Sequence, residues 1–234
     1  DLNALFGIAG FAGGIGFGTI FLKRGYSLQR TYALSKLESA MMPAIQVGLL
    51  VLVVTAPAFI FFSQKGPGAM HAPWLISLAA GLVVGGLSQV SRLCTVGGFR
   101  DLFLFKKSIL IFGYLAVLIG VFVVNISFGN FHLGFENQPI AHTDGLWNFL
   151  GMALAGFCSV LLGGCPLRQL IMTGEGNSDS AVTVLGLAAG AAFAHNFGLA
   201  ASGAGPTLNG QIAVVVGFIV ALIIAVVNTK RANA

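Results

Sequence analysis

The chain has 234 residues, 56% of them hydrophobic and only 8% charged, and its mean hydropathy is strongly positive. Soluble domains carry about 25% charged residues, so the composition excludes a water-covered globular domain and predicts an all-α, polytopic integral membrane protein. The net charge of +5 does not signal nucleic acid, because the basic residues sit in short gaps between apolar runs rather than on a stripe with interleaved aromatics.

Seven apolar runs, each near the ~20 residues that span hydrocarbon, are read at 2–22, 41–62, 74–91, 108–128, 145–164, 181–200 and 211–228. The first residue is Asp1 and Asp1–Phe6 lacks the basic start of a cleavable signal, so the chain is expected to begin inside a longer natural one. In the first run Gly10, Gly14 and Gly18 recur every four residues, as do Gly81 with Gly85 and Gly186 with Gly190. Each row is a face on which helix backbones can approach closely. The Gly14-x-Gly16-x-Gly18 spacing resembles a dinucleotide motif, but it lies inside an apolar run with no strand before it.

The gaps between runs carry an orientation signal. Lys23, Arg24, Arg30, Lys36, Arg92, Arg100, Lys106, Lys107, Arg168, Lys230 and Arg231 fall on one side, and of twelve basic residues only Lys65 falls on the other. This positive-inside pattern places the N-terminus outside and the C-terminus in the cytoplasm.

A weak internal repeat has a period of 71 residues: Gly85, Ser88 and Cys94 match Gly156, Ser159 and Cys165. A fainter echo sets Arg24-Gly25-Tyr26 against Arg92-Leu93-Cys94, with no cysteine. The expected organisation is a single transmembrane domain over 1–234, with pseudo-repeat units at about 74–130 and 145–200 and a degenerate one within 1–70. Repeats around broken helices place a transporter's solute site at their interface.

Two segments carry the candidate chemistry. In Ser88–Asp101, Ser88, Gln89, Ser91, Arg92 and Cys94 are too polar for a lipid-facing surface, and Thr95-Val96-Gly97-Gly98 is the place where a helix is expected to break. Arg92 reads equally as a helix-end arginine snorkelling to the interface or as part of an anion path. The segment Gly163–Gln169 holds Gly163-Gly164-Cys165-Pro166, which cannot be an uninterrupted helix. With Pro166 at the first position of a new helix, Cys165 stands at its N-terminus and Arg168 one turn on, an arrangement that attracts anions. Cys158 lies seven residues before Cys165, on the same face if the helix continues between them.

Near the end of the sixth run, His195-Asn196 is an intramembrane polar pair, read either as a proton or solute contact or as a helix-to-helix hydrogen bond. His71, His132 and His142 are assigned to solvated outer loops, and Asn177–Asp179 to the cap of the helix that follows. No Ser/His/Asp set, carboxylate pair or metal cluster is readable, so no catalytic residue, cofactor or metal is assigned.

The stretches SRLCTVGGFRDLFLF and LLGGCPLRQLIMTGEGNSDSAVTVLG, followed by AAFAHNF, resemble the YeeE/YedE family of sulfur-compound transporters, the second most closely its YedE branch linked to selenium metabolism. The resemblance implies a helical fold with short helices dipping toward the membrane centre, a bacterial inner-membrane location, and passage of an anion such as thiosulfate along cysteine stations. By match of motif Cys94 and Cys165 are such stations, and Cys158 has no motif counterpart. A small cytoplasmic sulfur-carrier protein is the implied partner. Members are longer, which suggests that the chain is a fragment or one half of a transport unit, with an oligomer or a second half-transporter chain as its partner, and Tyr26 stands where a cysteine is expected.

The sequence is therefore read as a transporter or permease, not an enzyme, for a small sulfur or selenium anion. Its pathway is assigned to Cys94, Cys165, Cys158, Arg92, Arg168, Ser88, Gln89, Gly164, Pro166, His195 and Asn196. The alternatives are a membrane sulfur-transfer or redox protein using Cys94 and Cys165 covalently, and a non-transporting anchor subunit.

Overall fold

The computed structural model describes residues 1–28, 35–59, 69, 71–136, 138 and 141–229. Arg30, Lys65, Lys230 and Arg231 of the orientation signal lie outside the described residues, as does the end of the second apolar run. The described residues form helices α1 (Asn3–Lys23), α2 (Lys36–Thr55), α3 (Trp74–Ser91), α4 (Thr95–Phe105), α5 (Ile109–Ser127), α6 (Gly145–Leu161), α7 (Pro166–Gly174), α8 (Ser178–Asn196) and α9 (Leu208–Val227).

Each of the seven apolar runs holds a helix, and α4 and α7 are short additions after breaks. Among the described residues five segments are long and apolar enough to cross a bilayer: Asn3–Lys23, Trp74–Phe105, Ile109–Ser127, Gly145–Gly174 and Leu208–Val227. The protein is a polytopic helical membrane protein. The apolar part of α2, Ala40–Thr55, is shorter, and α8, rich in alanine and glycine, is not among the five.

Helix starts follow local chemistry. The Asp144 carboxylate accepts the Trp147 N–H at 3.2 Å to open α6, and the Thr207 hydroxyl accepts the Gly210 N–H at 2.9 Å to open α9. Asn177 caps α8 as expected, its Oδ1 accepting the Ser180 N–H at 2.9 Å.

Two compact units divide the chain. The first comprises Asp1–Arg30, Cys94–Leu167 and Leu185–Ala234. Its centre is the crossing of α1 and α6, and glycine is what permits it. A Cβ on Gly10 would strike the Phe149 carbonyl, one on Gly14 the Ala153 carbonyl, and one on Gly156 the Phe11 carbonyl. Glycine inside a helix costs about 0.5–1 kcal/mol against alanine. In lipid there is little hydrophobic drive between helices, so close backbone packing must supply the association, and here it offsets that cost. α9 joins through Gly217 against Leu154, and α4 lies on α5 with Gly98 facing the Ile111 backbone.

The second unit comprises Thr31–Leu93 and Arg168–Val184. Gly81 and Gly85 of α3, in this unit, and Gly186 and Gly190 of α8, in the first, have no neighbour within 4 Å of an added Cβ. The close approach expected of these two rows is not made among the described residues. The α1 row differs because a matching glycine, Gly156, faces it.

Candidate functional site: two broken helices and a thiol pair

Both expected breaks exist. α3 ends at Arg92, whose backbone is left-handed (φ 52°), with the Arg92 N–H donating to the Gln89 carbonyl at 3.3 Å and the Leu93 N–H to the Ser88 carbonyl at 3.2 Å. α6 ends at Gly163 (φ 83°), with the Gly163 N–H donating to the Val160 carbonyl at 3.1 Å and the Gly164 N–H to the Ser159 carbonyl at 3.0 Å. Such helix ends are common, and α1 closes the same way through Gly25 (φ 85°). What sets the two breaks apart is that a cysteine follows two residues after the left-handed one and a new helix starts at once. By the same count from Gly25, Ser27 and not Tyr26 stands at the cysteine position in α1, so the faint echo is corrected by one residue.

The first break lies earlier than the sequence suggested. Thr95-Val96-Gly97-Gly98 is the first turn of α4, not a gap. Its glycines serve close packing: an added Cβ would lie 3.2 Å from Leu110 at Gly97 and 3.1 Å from the Ile111 backbone at Gly98. Cys94 is extended and caps α4, its Sγ accepting the Gly97 N–H at 3.2 Å. At the second break Pro166 opens α7, as its missing N–H and fixed φ favour, and the helix does not continue from Cys158 to Cys165.

The fold brings Cys94 and Cys165 together across 71 residues. They share one buried cluster with Ile15, Val96 and Val160, and the thiols lie within hydrogen-bonding reach of each other. Neither is in a disulfide bond, and 8% and 3% of their surface is exposed. Each begins a short helix whose N-terminal end carries partial positive charge. A buried pair of thiols at two helix starts offers weak hydrogen-bond donors beside the positive ends of two helices, an arrangement suited to a soft anion.

Cys158 is elsewhere. It is half-buried in a second cluster with Phe21, Tyr26, Phe157 and Leu161. The Tyr26 hydroxyl donates to the Leu161 carbonyl at 3.3 Å, just before the second break. Burial pushes the Tyr26 phenol above its ordinary range, with Cys158 adding to the effect, so it stays a donor.

The other assigned residues divide. Gly164 is buried and Pro166 exposed; Ser88 is buried, while Gln89 and Arg92 are exposed. Within the second unit the Arg168 guanidinium donates to Gln89 Oε1 at 3.2 Å and pairs with the Glu175 carboxylate at 3.5 Å. His195 and Asn196 end α8 with exposed side chains, and the Asn196 amide donates to its own helix at the Ala192 carbonyl, 2.8 Å away. The assignment of His142 to a solvated loop fails. Its ring is half-buried, its Nδ1 is sealed without a hydrogen-bond partner, and it borders a cavity of about 440 Å³ with Gln138, Thr143, Asp144 and Gln211. His71 and His132 are exposed. Among the described residues no group of three or more His, Cys, Asp and Glu side chains is placed to hold a metal.

Sequence reasoning passed over Glu175 and Gln169, the latter 3% exposed. The available signal for Glu175 was its spacing: it follows Arg168 by seven residues, two helical turns, just past the end of α7.

Comparison with known proteins bears on this geometry. The profile of the family described as Sulphur transport matches residues 90–233, which contain both cysteine-bearing breaks. The thiosulfate transporter TsuA of Escherichia coli (strain K12) is 30% identical over 111 residues, 46% of this chain and 30% of that protein. The chain thus matches less than a third of that relative's length. No solved structure matches.

Proposed function

The chain belongs to the sulphur transport family, the YeeE/YedE group, and on that premise we propose that it passes a small sulfur anion, thiosulfate first, across a bacterial inner membrane. The observation that carries this reading is the pair of buried thiols, Cys94 and Cys165, each at the start of a short helix after a broken span. A solute that moves must be held weakly at each point, since tight binding at one site stops conduction. Neutral S–H donors provide such weak contacts. Arg168 and Arg92 supply positive potential near the ends of the breaks in the chain, with Ser88, Gln89, Gly164 and Pro166 shaping them. Cys158, His195 and Asn196 are outlying members of the pathway. The pseudo-repeat at 71 residues sets the two thiols at corresponding positions. The N-terminus faces outward and the C-terminus the cytoplasm, and a second chain or copy completes the transport unit. A small cytoplasmic sulfur carrier accepts the solute. Selenium oxyanions are the runner-up solute, being close to thiosulfate in charge.

The test is radiolabelled thiosulfate uptake into proteoliposomes holding the purified chain, with selenite as competitor. Saturable uptake that Cys165→Ala removes supports the proposal. Uptake unaffected by Cys165→Ala and Cys94→Ala together rejects the cysteine stations.

The adjacency of the two thiols also favours a second reading, covalent sulfur transfer in place of transport. That reading predicts a persulfide on Cys94 or Cys165, visible by mass spectrometry after exposure to a sulfur donor. Transport through neutral thiols predicts none.

A further inference from the structure

We infer that Glu175 is a built-in competitor for the solute anion at Arg168, a carboxylate that occupies the guanidinium until an oxyanion displaces it. The inference rests on the transport reading for the identity of the anion and on geometry for the rest.

Arg168 stands in the first turn of α7, three residues after Cys165. One of its N–H groups is committed to Gln89 Oε1, 3.2 Å away, which fixes the direction of the fork. Its other terminal nitrogen faces the Glu175 carboxylate at 3.5 Å, beyond the distance of a strong charge-assisted hydrogen bond. The pair is neither sealed nor fully solvated: side-chain exposure is 20% for Arg168 and 35% for Glu175. A guanidinium presents several N–H donors in a planar fork that matches two oxygens of an oxyanion as well as those of a carboxylate.

Glu175 is also placed to let go. Its backbone is held independently of its side chain, the Glu175 N–H donating to the Ile171 carbonyl at 3.0 Å. It is followed by Gly176, in the left-handed region at φ 88°, where the chain turns into α8. Exchange therefore requires only a rotamer change of Glu175, while Gln89 keeps Arg168 in position. At no stage is the guanidinium left without an anionic partner, which keeps the barrier to exchange low. A structural ion pair would be expected to be shorter or more deeply buried. A long, part-exposed pair contributes little to stability and is easily displaced.

The experiment uses the purified full chain with thiosulfate as the probe, binding measured by isothermal titration calorimetry and uptake in vesicles. Glu175→Gln keeps the shape and removes the charge. It is expected to tighten thiosulfate binding about two- to five-fold, the range set by the strength of a part-exposed ion pair. Glu175→Asp, which keeps the charge on a shorter arm, is expected to fall between. In an Arg168→Gln background Glu175→Gln is expected to change nothing, because its effect passes through the guanidinium. Unchanged or weaker binding in Glu175→Gln overturns the inference, and so does an equal tightening in the Arg168→Gln background. If the wild-type chain takes up no thiosulfate yet Glu175→Gln binds it more tightly through Arg168, the transport reading fails and the competitor stands. If uptake is normal and the binding constants do not move, the competitor fails and transport stands. No binding to any variant rejects both.

Discussion

The two helix breaks solve one backbone problem with different residues. At the first, α3 turns through Arg92 in the left-handed region, and the sulfur of Cys94 caps α4 by accepting the Gly97 N–H. At the second, α6 turns through Gly163, which bears φ 83° without strain, and Pro166 starts α7 without an N–H to satisfy. Local structure at the second break is therefore secured by glycine and proline. At the first break the cysteine has a structural task as well as a place in the thiol pair. The lesson is that equal positions in a sequence motif need not carry equal roles. On the proposed transport reading, Cys94 is the residue whose loss confounds capping with transport.

That asymmetry can be broken most visibly at Cys165. On the proposed reading Cys165→Ala removes one donor to an anion, a hydrogen bond to a charged group worth about 1.5–3 kcal/mol, so uptake is expected to fall at least about tenfold, while the thermal midpoint in detergent falls only by the small amount that one buried sulfur accounts for. A large loss of thermal stability would assign Cys165 a structural role and erase the contrast. Next comes Gly163→Val. A β-branched residue at φ 83° costs at least about 1–2 kcal/mol, so the midpoint is expected to drop by several degrees. If Gly163→Val melts with the wild type, the second break is not held as described.

A smaller effect separates the two jobs of Cys94. Cys94→Ala removes a cap, and losing an N-cap side chain costs about 0.5–2 kcal/mol, with the weak sulfur acceptor at the low end. Cys94→Ser keeps an acceptor for the Gly97 N–H and is expected to restore the melting temperature without restoring full uptake, since the hydroxyl differs from the thiol as a contact for a soft anion. Equal melting of Ala and Ser variants would remove the capping role.

How far the sequence carried these conclusions depended on whether the signal was local. Gly163-Gly164-Cys165-Pro166 announced its break because proline and glycine limit the backbone by themselves. The first break was misplaced by a few residues because Gly97 and Gly98 look like flexibility in sequence, and only the nearness of Ile111 shows that they serve packing. The glycine rows show the same limit. Gly10, Gly14 and Gly18 share their spacing with Gly81 and Gly85, but what decides whether a row is used is a facing surface such as Gly156, which lies far away in the chain. The approach of Cys94 to Cys165, the pairing of Arg168 with Glu175 and the sealed Nδ1 of His142 are likewise tertiary facts. His142 failed as a solvated residue because a loop position in sequence does not reveal what folds over it.

The smallest expected effect bears on the least expected residue. Arg92 holds φ 52°, a conformation that an L side chain adopts at a cost of about 1 kcal/mol and glycine at none. The second break shows the relaxed solution, with glycine at the corresponding place. Arg92→Gly is therefore expected to stabilise the protein by about 0.5–1 kcal/mol, less the greater freedom glycine gives the unfolded chain. If Arg92 only ends α3 and snorkels, uptake should be unchanged. If its charge contributes to the anion path, as proposed, Arg92→Gly should melt slightly higher while showing a raised half-saturating thiosulfate concentration, and Arg92→Lys should recover much of the loss. A variant that gains stability and loses affinity together would show that the first break keeps a strained arginine for the solute's sake. The two breaks would then differ because the first carries its charge on the turn residue itself and the second carries it on Arg168, in the first turn of α7.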